Sequence, residues 1–366
     1  MSNNPVRNLI GDLGKQLTEK NHSNELLSIG QMKTFPITTD KFKEIAENAN
    51  PKKIAFIDGG DGSLEESPNF LITINRVYFS MFQGKKRVSP TKLKSRLEFF
   101  SSVVSNVSNE GGKKKISYET KLYPYDQNER KNLPDEQDLV SQTESTTILE
   151  RSRLTSLARR FAEWKLATLV VKEELRQGDM IVIDGSLQTN FKNETKYARE
   201  LYSEAMKKGV IVCGLTKTSR LITDSGDPLL ARIQEISEGV SFGKWFVEVA
   251  ETVSADDRGF MMGAKFHTNS RHVFRFEILR EQFKKMSEQE KNNVLGSLAE
   301  NSQDIAMLGY PYGSIDADRF AQVRKNELNM YRGLMIAEMS RLPEWKKLQR
   351  YTLTTKFHDE LNGVTS

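Results

Sequence analysis

The stretches DMIVIDGSL (179–187), ETKYARELYSEAMKKG (194–209) and GVIVCGLTK (209–217) decide the fold. The first and third are short apolar runs bounded by Asp or Gly, which is how a strand buried on both faces reads. The segment between them reads as a helix. Strand, helix, strand in that order is a βαβ unit, so the two strands are parallel.

Working outward, KKIAFIDGGDGS (52–63) reads as a buried strand, Ile54 to Ile57, that ends on Asp58 and a Gly-rich turn. NFLITINRVYFSMF (69–82) fits a long second strand and KKKISYETKLY (113–123) another. Residues 125–147 are polar, contain Pro134 and read as a long loop. A helix is expected from about Thr147 to Gln177, with Leu154, Leu157, Ala158 and Phe161 at 3–4 spacing and Gly178 as its stop. Residues 243–281 suggest two or three antiparallel strands, and Ile315 to about Ser340 a helix. Near the start, LIGDLGKQLTEK (9–20) and TDKFKEIAENA (39–49) read as two amphipathic helices. The expected class is α/β: a mixed sheet, antiparallel early and parallel late, flanked by helices. A helical extension over 1–50 precedes a main domain over 51–340 that carries an antiparallel β extension, and a tail over 341–366 follows.

The composition is that of a globular protein, 37% hydrophobic and 28% charged in 366 residues. No apolar run has the ~18 residues of a membrane helix, and MSNNPVRNLIGDLGKQ has no apolar signal region. One cysteine, Cys213, excludes an intramolecular disulfide and a Cys-rich zinc site, and fits a reducing cytoplasm. The four histidines lack zinc spacing, so any metal here is expected to be held by oxygen. The net charge of +5 is compatible with nucleic-acid contact without requiring it.

FIDGGDGS and VIDGSL share one grammar: an apolar strand, Asp-Gly, then small polar residues. Ligands of open α/β sheets bind beyond the carboxyl ends of strands. If the two strands are neighbours, ~4.8 Å apart, Asp58 and Asp184 can reach one cation. The alternative is that Asp-Gly makes a turn and nothing more. RRFAEWKLA (159–167) offers Glu163 as a further carboxylate; the plainer reading is a solvated partner of Arg159 one turn back. Lys217 and Arg220 in GLTKTSRLITDSGD (214–227) follow a buried strand and could hold a phosphate, or be a solvated basic loop. GYPYGSIDADRFAQVRK (309–325) carries Tyr310 and Asp318, with Ser314 as a candidate N-cap and Asp318 in the first turn, where the helix dipole favours a carboxylate. Three or four carboxylates holding two divalent cations would serve two-metal hydrolysis of a phosphodiester, and oxygen ligands suit Mg²⁺ or Mn²⁺.

In this order, the Asp58 strand, the Arg-rich helix with Glu163, IVIDGSL, LTKTSR and the GYP segment resemble the NurA nuclease family over roughly residues 50–335. The resemblance implies a ribonuclease-H-like fold, a homodimer, and Mn²⁺-dependent single-strand endonuclease and 5′-to-3′ exonuclease activity on DNA. It also implies a partner, the hexameric HerA ATPase, in DNA end processing for repair or for defence against phage. Asp58, Glu163 and Asp184 would be metal ligands, Lys217 and Tyr310 active-site residues. Where the family has a histidine eight residues after the Tyr of Tyr-Pro, this chain has Asp318, which can serve as a fourth ligand. The competing class is a catalytically inactive DNA-binding or docking subunit on the same fold.

Overall fold

A computed structural model describes residues 4–18, 23–27, 32–48, 50–110, 113–139, 141–143, 151–254 and 257–353. In chain order the elements are α1 (Pro5–Thr18), β1 (Met32–Thr34), β2 (Lys43–Glu44), β3 (Lys53–Ser67), β4 (Phe70–Gln83), β5 (Lys86–Val88), β6 (Arg96–Glu110), β7 (Lys113–Pro124) and β8 (Ser141–Thr143). There follow α2 (Arg151–Glu173), β9 (Met180–Asp184), α3 (Glu194–Lys208), β10 (Ile211–Thr216), α4 (Leu229–Ser237), β11 (Trp245–Thr252), β12 (Gly259–Lys265) and β13 (Phe274–Leu279). Four helices close the order: α5 (Arg280–Phe283), α6 (Glu288–Glu300), α7 (Tyr312–Ala321) and α8 (Lys325–Met339).

Among the described residues, thirteen strands join one sheet, whose main path runs β1-β11-β12-β13-β10-β9-β3-β4-β6-β7-β8. β3, β4 and β6 pair antiparallel in succession, while β3, β9 and β10 pair parallel. This is the mixed, ribonuclease-H-like order expected from the sequence, with the βαβ unit as β9-α3-β10. The antiparallel extension is β13, β12 and β11, added to the free edge of β10. β9 reads Met-Ile-Val-Ile because it lies between two parallel strands and is covered on both faces.

The period-2 alternation of β3 sorts the core into two layers. Ala55 and Ile57 pack with Leu157, Phe161 and Trp164 of α2 and Leu201 of α3. Ile54 and Phe56 pack on the opposite face with Val294 and Leu298 of α6 and Ala317 of α7. An outer cluster joins α4 to the β11–β12 pair.

Several expectations change. β3 does not stop at Asp58; it runs on through the glycines to Ser67. The second N-terminal helix, over 39–49, is absent: residues 39–41 form a 3-10 turn and β2 pairs with β11. Phe42, Ile45 and Trp245 bury there, so tertiary packing overrides the helical spacing. β1 also enters the sheet, against β11. Residues 125–139 hold two short 3-10 turns rather than loop alone; 144–150 lie outside the described residues. The helix expected from Thr147 to Gln177 is described as Arg151–Glu173, and Gly178 adopts φ +84 beyond its end. The C-terminal helix is two helices, α7 and α8, broken at 322–324. Among the described residues no helix is long and apolar enough to cross a membrane.

Candidate active site

Asp58 and Asp184 meet because β3 and β9 are parallel neighbours in register. Ile57 pairs with Ile183, so the next residue on each strand is an aspartate. After Asp184 the chain must turn sharply, and Gly185 does so at φ +104, where a side chain would be strained. Lys217 sits just past the end of β10, which pairs with β9 on its other side.

The ammonium of Lys217 is the centre of the cluster. Its Nζ lies 3.3 Å from Asp58 Oδ2, 3.2 Å from Asp184 Oδ2 and 2.6 Å from Asp318 Oδ1. Asp58 is buried, Asp184 half-buried and Asp318 exposed. Asp58 Oδ1 also accepts the Gly59 N–H at 2.7 Å. Burial, and then the neighbouring Asp184 charge, push the Asp58 carboxyl up to about 8, against the pull of Lys217; Glu163 adds to the upward push. Burial opposes the charge on Lys217, but Asp184 and Asp58 outweigh it and hold the ammonium protonated above the usual lysine range. Tyr310, buried beside this group, has its phenol raised by burial and by the Asp184 charge. Its hydroxyl has no well-formed hydrogen bond among the described residues, although Ser314 is near.

Glu163 reaches the same region from α2. It is buried, not solvated, and its oxygens are taken by Arg159 and, at 3.3 Å, by Arg160. Its plainer sequence reading thus has the right partner and the wrong environment. Arg159 also binds Asp61 at 2.6 Å, and Arg160 binds the fully buried Glu194 at 2.8 Å. Asp61 escaped the sequence reading because an extended chain, not a turn, carries it: three residues on from Asp58, it points to the opposite face.

The glycines of IDGGDG have a different reason from turn-making. A Cβ at Gly59 would collide with Glu163 Oε1 and come within 2.9 Å of Arg159 Cγ. A Cβ at Gly60, on the other face, would collide with the carbonyl oxygen of Ala321. The two glycines let α2 and α7 press on β3 from opposite sides, which brings Glu163 and Asp318 to the aspartate pair.

Asp318 is not in the first turn of a helix. α7 starts at Tyr312 with Pro311 before it, so Ser314 is not its cap and Asp318 lies in its second half. Lys217, rather than the helix dipole, accounts for its position. Arg220 is exposed and forms no ion pair with the cluster among the described residues.

Three aspartates turned on one cationic point form a donor set suited to a hard divalent ion. As they stand, no three of His, Cys, Asp or Glu among the described residues are grouped to hold a metal, and the Lys217 ammonium lies between the three aspartates. The Asp58 carboxyl is raised by burial first and by the Asp184 charge second, and the Lys217 ammonium offsets only part of this.

A model of the NurA domain family matches residues 52–323. Among solved structures, the NurA nuclease from Sulfolobus solfataricus aligns with a TM-score of 0.52 at 12% identity, over 93% of this chain and 96% of that one, and so shares the fold. Argonaute from Aquifex aeolicus aligns at a TM-score of 0.28 and 9% identity, over 76% of this chain and 29% of that one; this likeness carries no argument. No curated protein matches the sequence. With the family model spanning more than half of its length, the chain is a member of the NurA family.

Proposed function

We propose that the chain is a divalent-metal-dependent DNA nuclease whose active centre is Asp58, Asp184, Asp318, Glu163, Lys217 and Tyr310. The observation that carries this reading is the convergence of three aspartates from β3, β9 and α7 on one Nζ within 3.3 Å. Asp58, Asp184 and Asp318 would hold Mn²⁺ or Mg²⁺, and two ions are the expected complement. Glu163, now held by Arg159 and Arg160, would be a further ligand if it were released from Arg159. A bound divalent ion supplies an activated water and charge stabilisation for the leaving oxygen of an in-line displacement. Lys217, if a metal took its place among the carboxylates, would be free to neutralise a non-bridging phosphate oxygen. The Tyr310 hydroxyl can donate to the phosphate or to the attacking water. Arg220 contributes a solvent-facing phosphate contact.

The activities proposed are single-strand endonuclease and 5′-to-3′ exonuclease. The NurA resemblance supports action as a homodimer with a HerA-type hexameric ATPase, in end processing for repair or for anti-phage defence. The test uses 5′- and 3′-labelled single- and double-stranded DNA with Mn²⁺, Mg²⁺ or EDTA, with and without that ATPase. Metal-dependent cleavage lost in Asp184→Ala supports the reading. DNA binding without cleavage under every condition would instead assign a docking subunit.

Two outcomes are expected from the charge balance. Mn²⁺ must displace the proton that Asp58 holds below about pH 8, so its apparent Kd should weaken about tenfold for each pH unit between 8 and 6. Titration calorimetry at three pH values reads this; a pH-independent Kd counts against Asp58 as a ligand. Lys217→Met removes the competing ammonium. It should tighten Mn²⁺ at pH 8.5 by about tenfold while lowering cleavage by about 10²-fold or more. Weakened Mn²⁺ binding in that variant would contradict the displacement.

A further inference from the structure

Beside the cluster lies a cavity of about 490 Å³ between the loop before β13 and the loop that enters α7. Lys217 and Tyr310 belong to both the cavity wall and the cluster, so the cavity adjoins the aspartates through those two side chains. Its other walls have a distinct chemistry. His272, Phe274 and Tyr310 form an aromatic succession, with ring centroids 6.3 Å and then 5.5 Å apart, leading inward. Arg271 is exposed at the cavity and has no ion-pair partner among the described residues. Asn269 adds amide donors and an acceptor, and the exposed Ile305 and Met307 give an apolar rim.

The walls are fixed rather than loose. Gly309 at φ +88 packs its α-carbon against Ser270, where a Cβ would come within 2.6 Å of Oγ, so the two loops are clamped together. Gly309 N–H donates to Ser302 O at 3.0 Å, and Ser270 Oγ is held by the backbone of His272 at 3.1 Å. The buried Tyr310 hydroxyl, without a well-formed partner of its own, remains available at the junction of cavity and cluster.

We infer that this cavity is a nucleotide subsite: it receives the single unpaired nucleotide next to the scissile phosphodiester, its base against the His272 face and its phosphate on Arg271. This inference rests on the nuclease reading. The volume of about 490 Å³ admits one nucleotide. A flat base suits a wall of aromatic and apolar side chains, and a free guanidinium beside it suits a phosphate. A base that stacks in a pocket must be splayed from its neighbours, which selects unpaired DNA over duplex. The site thereby gives a physical origin for single-strand preference: the carboxylates act on whichever phosphate follows a base that can enter.

The test combines a double substitution, Arg271→Ala with His272→Ala, and an abasic nucleotide walked along a 20-nucleotide single strand. Both residues are exposed, so the folded core is left intact. Wild type in Mn²⁺ at subsaturating DNA should cut the bond beside the abasic position about 10- to 100-fold more slowly than the same bond of the intact strand, with bonds elsewhere cut as before. The double variant should show that same slowing on the intact strand, as a raised KM with kcat changed less than about threefold, and no further loss beside the abasic position. Equal KM for wild type and variant on the intact strand overturns the inference even though cleavage proceeds. A second readout is independent of chemistry: quenching of 2-aminopurine in the oligonucleotide, measured in Ca²⁺. If wild type does not cleave at all, the nuclease reading fails on its own, and the subsite then stands or falls on whether wild type quenches the fluorophore and the double variant does not.

Discussion

Asp58→Asn is expected to abolish cleavage and, in the metal-free protein, to raise stability. The loss should exceed about 10³-fold in kcat, the scale on which metal ligation and transition-state charge stabilisation act. The gain follows from the folded-state carboxyl being raised to about 8 from an ordinary 3.8, by burial first and the Asp184 charge second. A group raised on folding favours the native state most below its unfolded value and loses that contribution as pH climbs through about 8. At pH 8 the wild-type protein therefore carries a buried, poorly compensated charge that the amide lacks. The variant should be more stable by about 1–3 kcal/mol at pH 8 and by less at pH 5. Denaturant melts in EDTA at both pH values read this directly. Equal destabilisation at both pH values would mean that Asp58 is a structural anchor rather than a strained ligand. Saturating Mn²⁺ should reverse the order, since only wild type gains the binding free energy.

Gly313→Ala is expected to destabilise the fold by about 2–4 kcal/mol and to suppress activity more than stability alone accounts for. Gly313 is the second residue of α7 and lies directly on the Phe56 ring, so an added methyl would collide with the ring and stand 2.7 Å from its Cγ. Phe56 sits in β3, fully buried two residues before Asp58, and cannot move away without disturbing that strand. α7 must lift instead, and Asp318 lifts with it, away from Lys217. The Gly313 carbonyl, which accepts the Ser80 hydroxyl at 2.8 Å, is drawn off as well. Urea melts combined with cleavage at a temperature where the variant remains folded separate the two effects. A variant as stable as wild type would show that α7 is loosely seated.

The pH dependence of Mn²⁺ binding and the Lys217→Met response follow from the same charge imbalance. All of these effects trace to the packing of α2 and α7 on β3, a packing that the glycines of IDGGDG permit.

The sequence by itself determined the βαβ unit, the placement of Asp184 at a strand end, the antiparallel extension and the family; Asp58 lies within a strand that continues to Ser67. Each rests on local signals: continuous apolar runs, a change from period 2 to period 3.6, and motif order. β6 was not legible, because RLEFFSSVVSNVSNE is half polar and looks like a surface segment until β4 and β7 pair with it. α6 does carry a local signal, the capping box of Ser287 and Glu290 ahead of it. In one dimension the glycines read as a turn or as room for a ligand, and a glycine that admits a neighbouring helix looks the same; the packing shows the last of these. Only the tertiary structure decided that Glu163 is buried between two arginines, that Asp318 answers to Lys217 rather than to a helix dipole, and that Arg271 and His272 line a cavity together with Lys217. The physical reason is common to all three. The partner of a charged side chain is set by which elements pack together, and those elements lie far apart in the chain: Lys217 and Asp318 are separated by 101 residues.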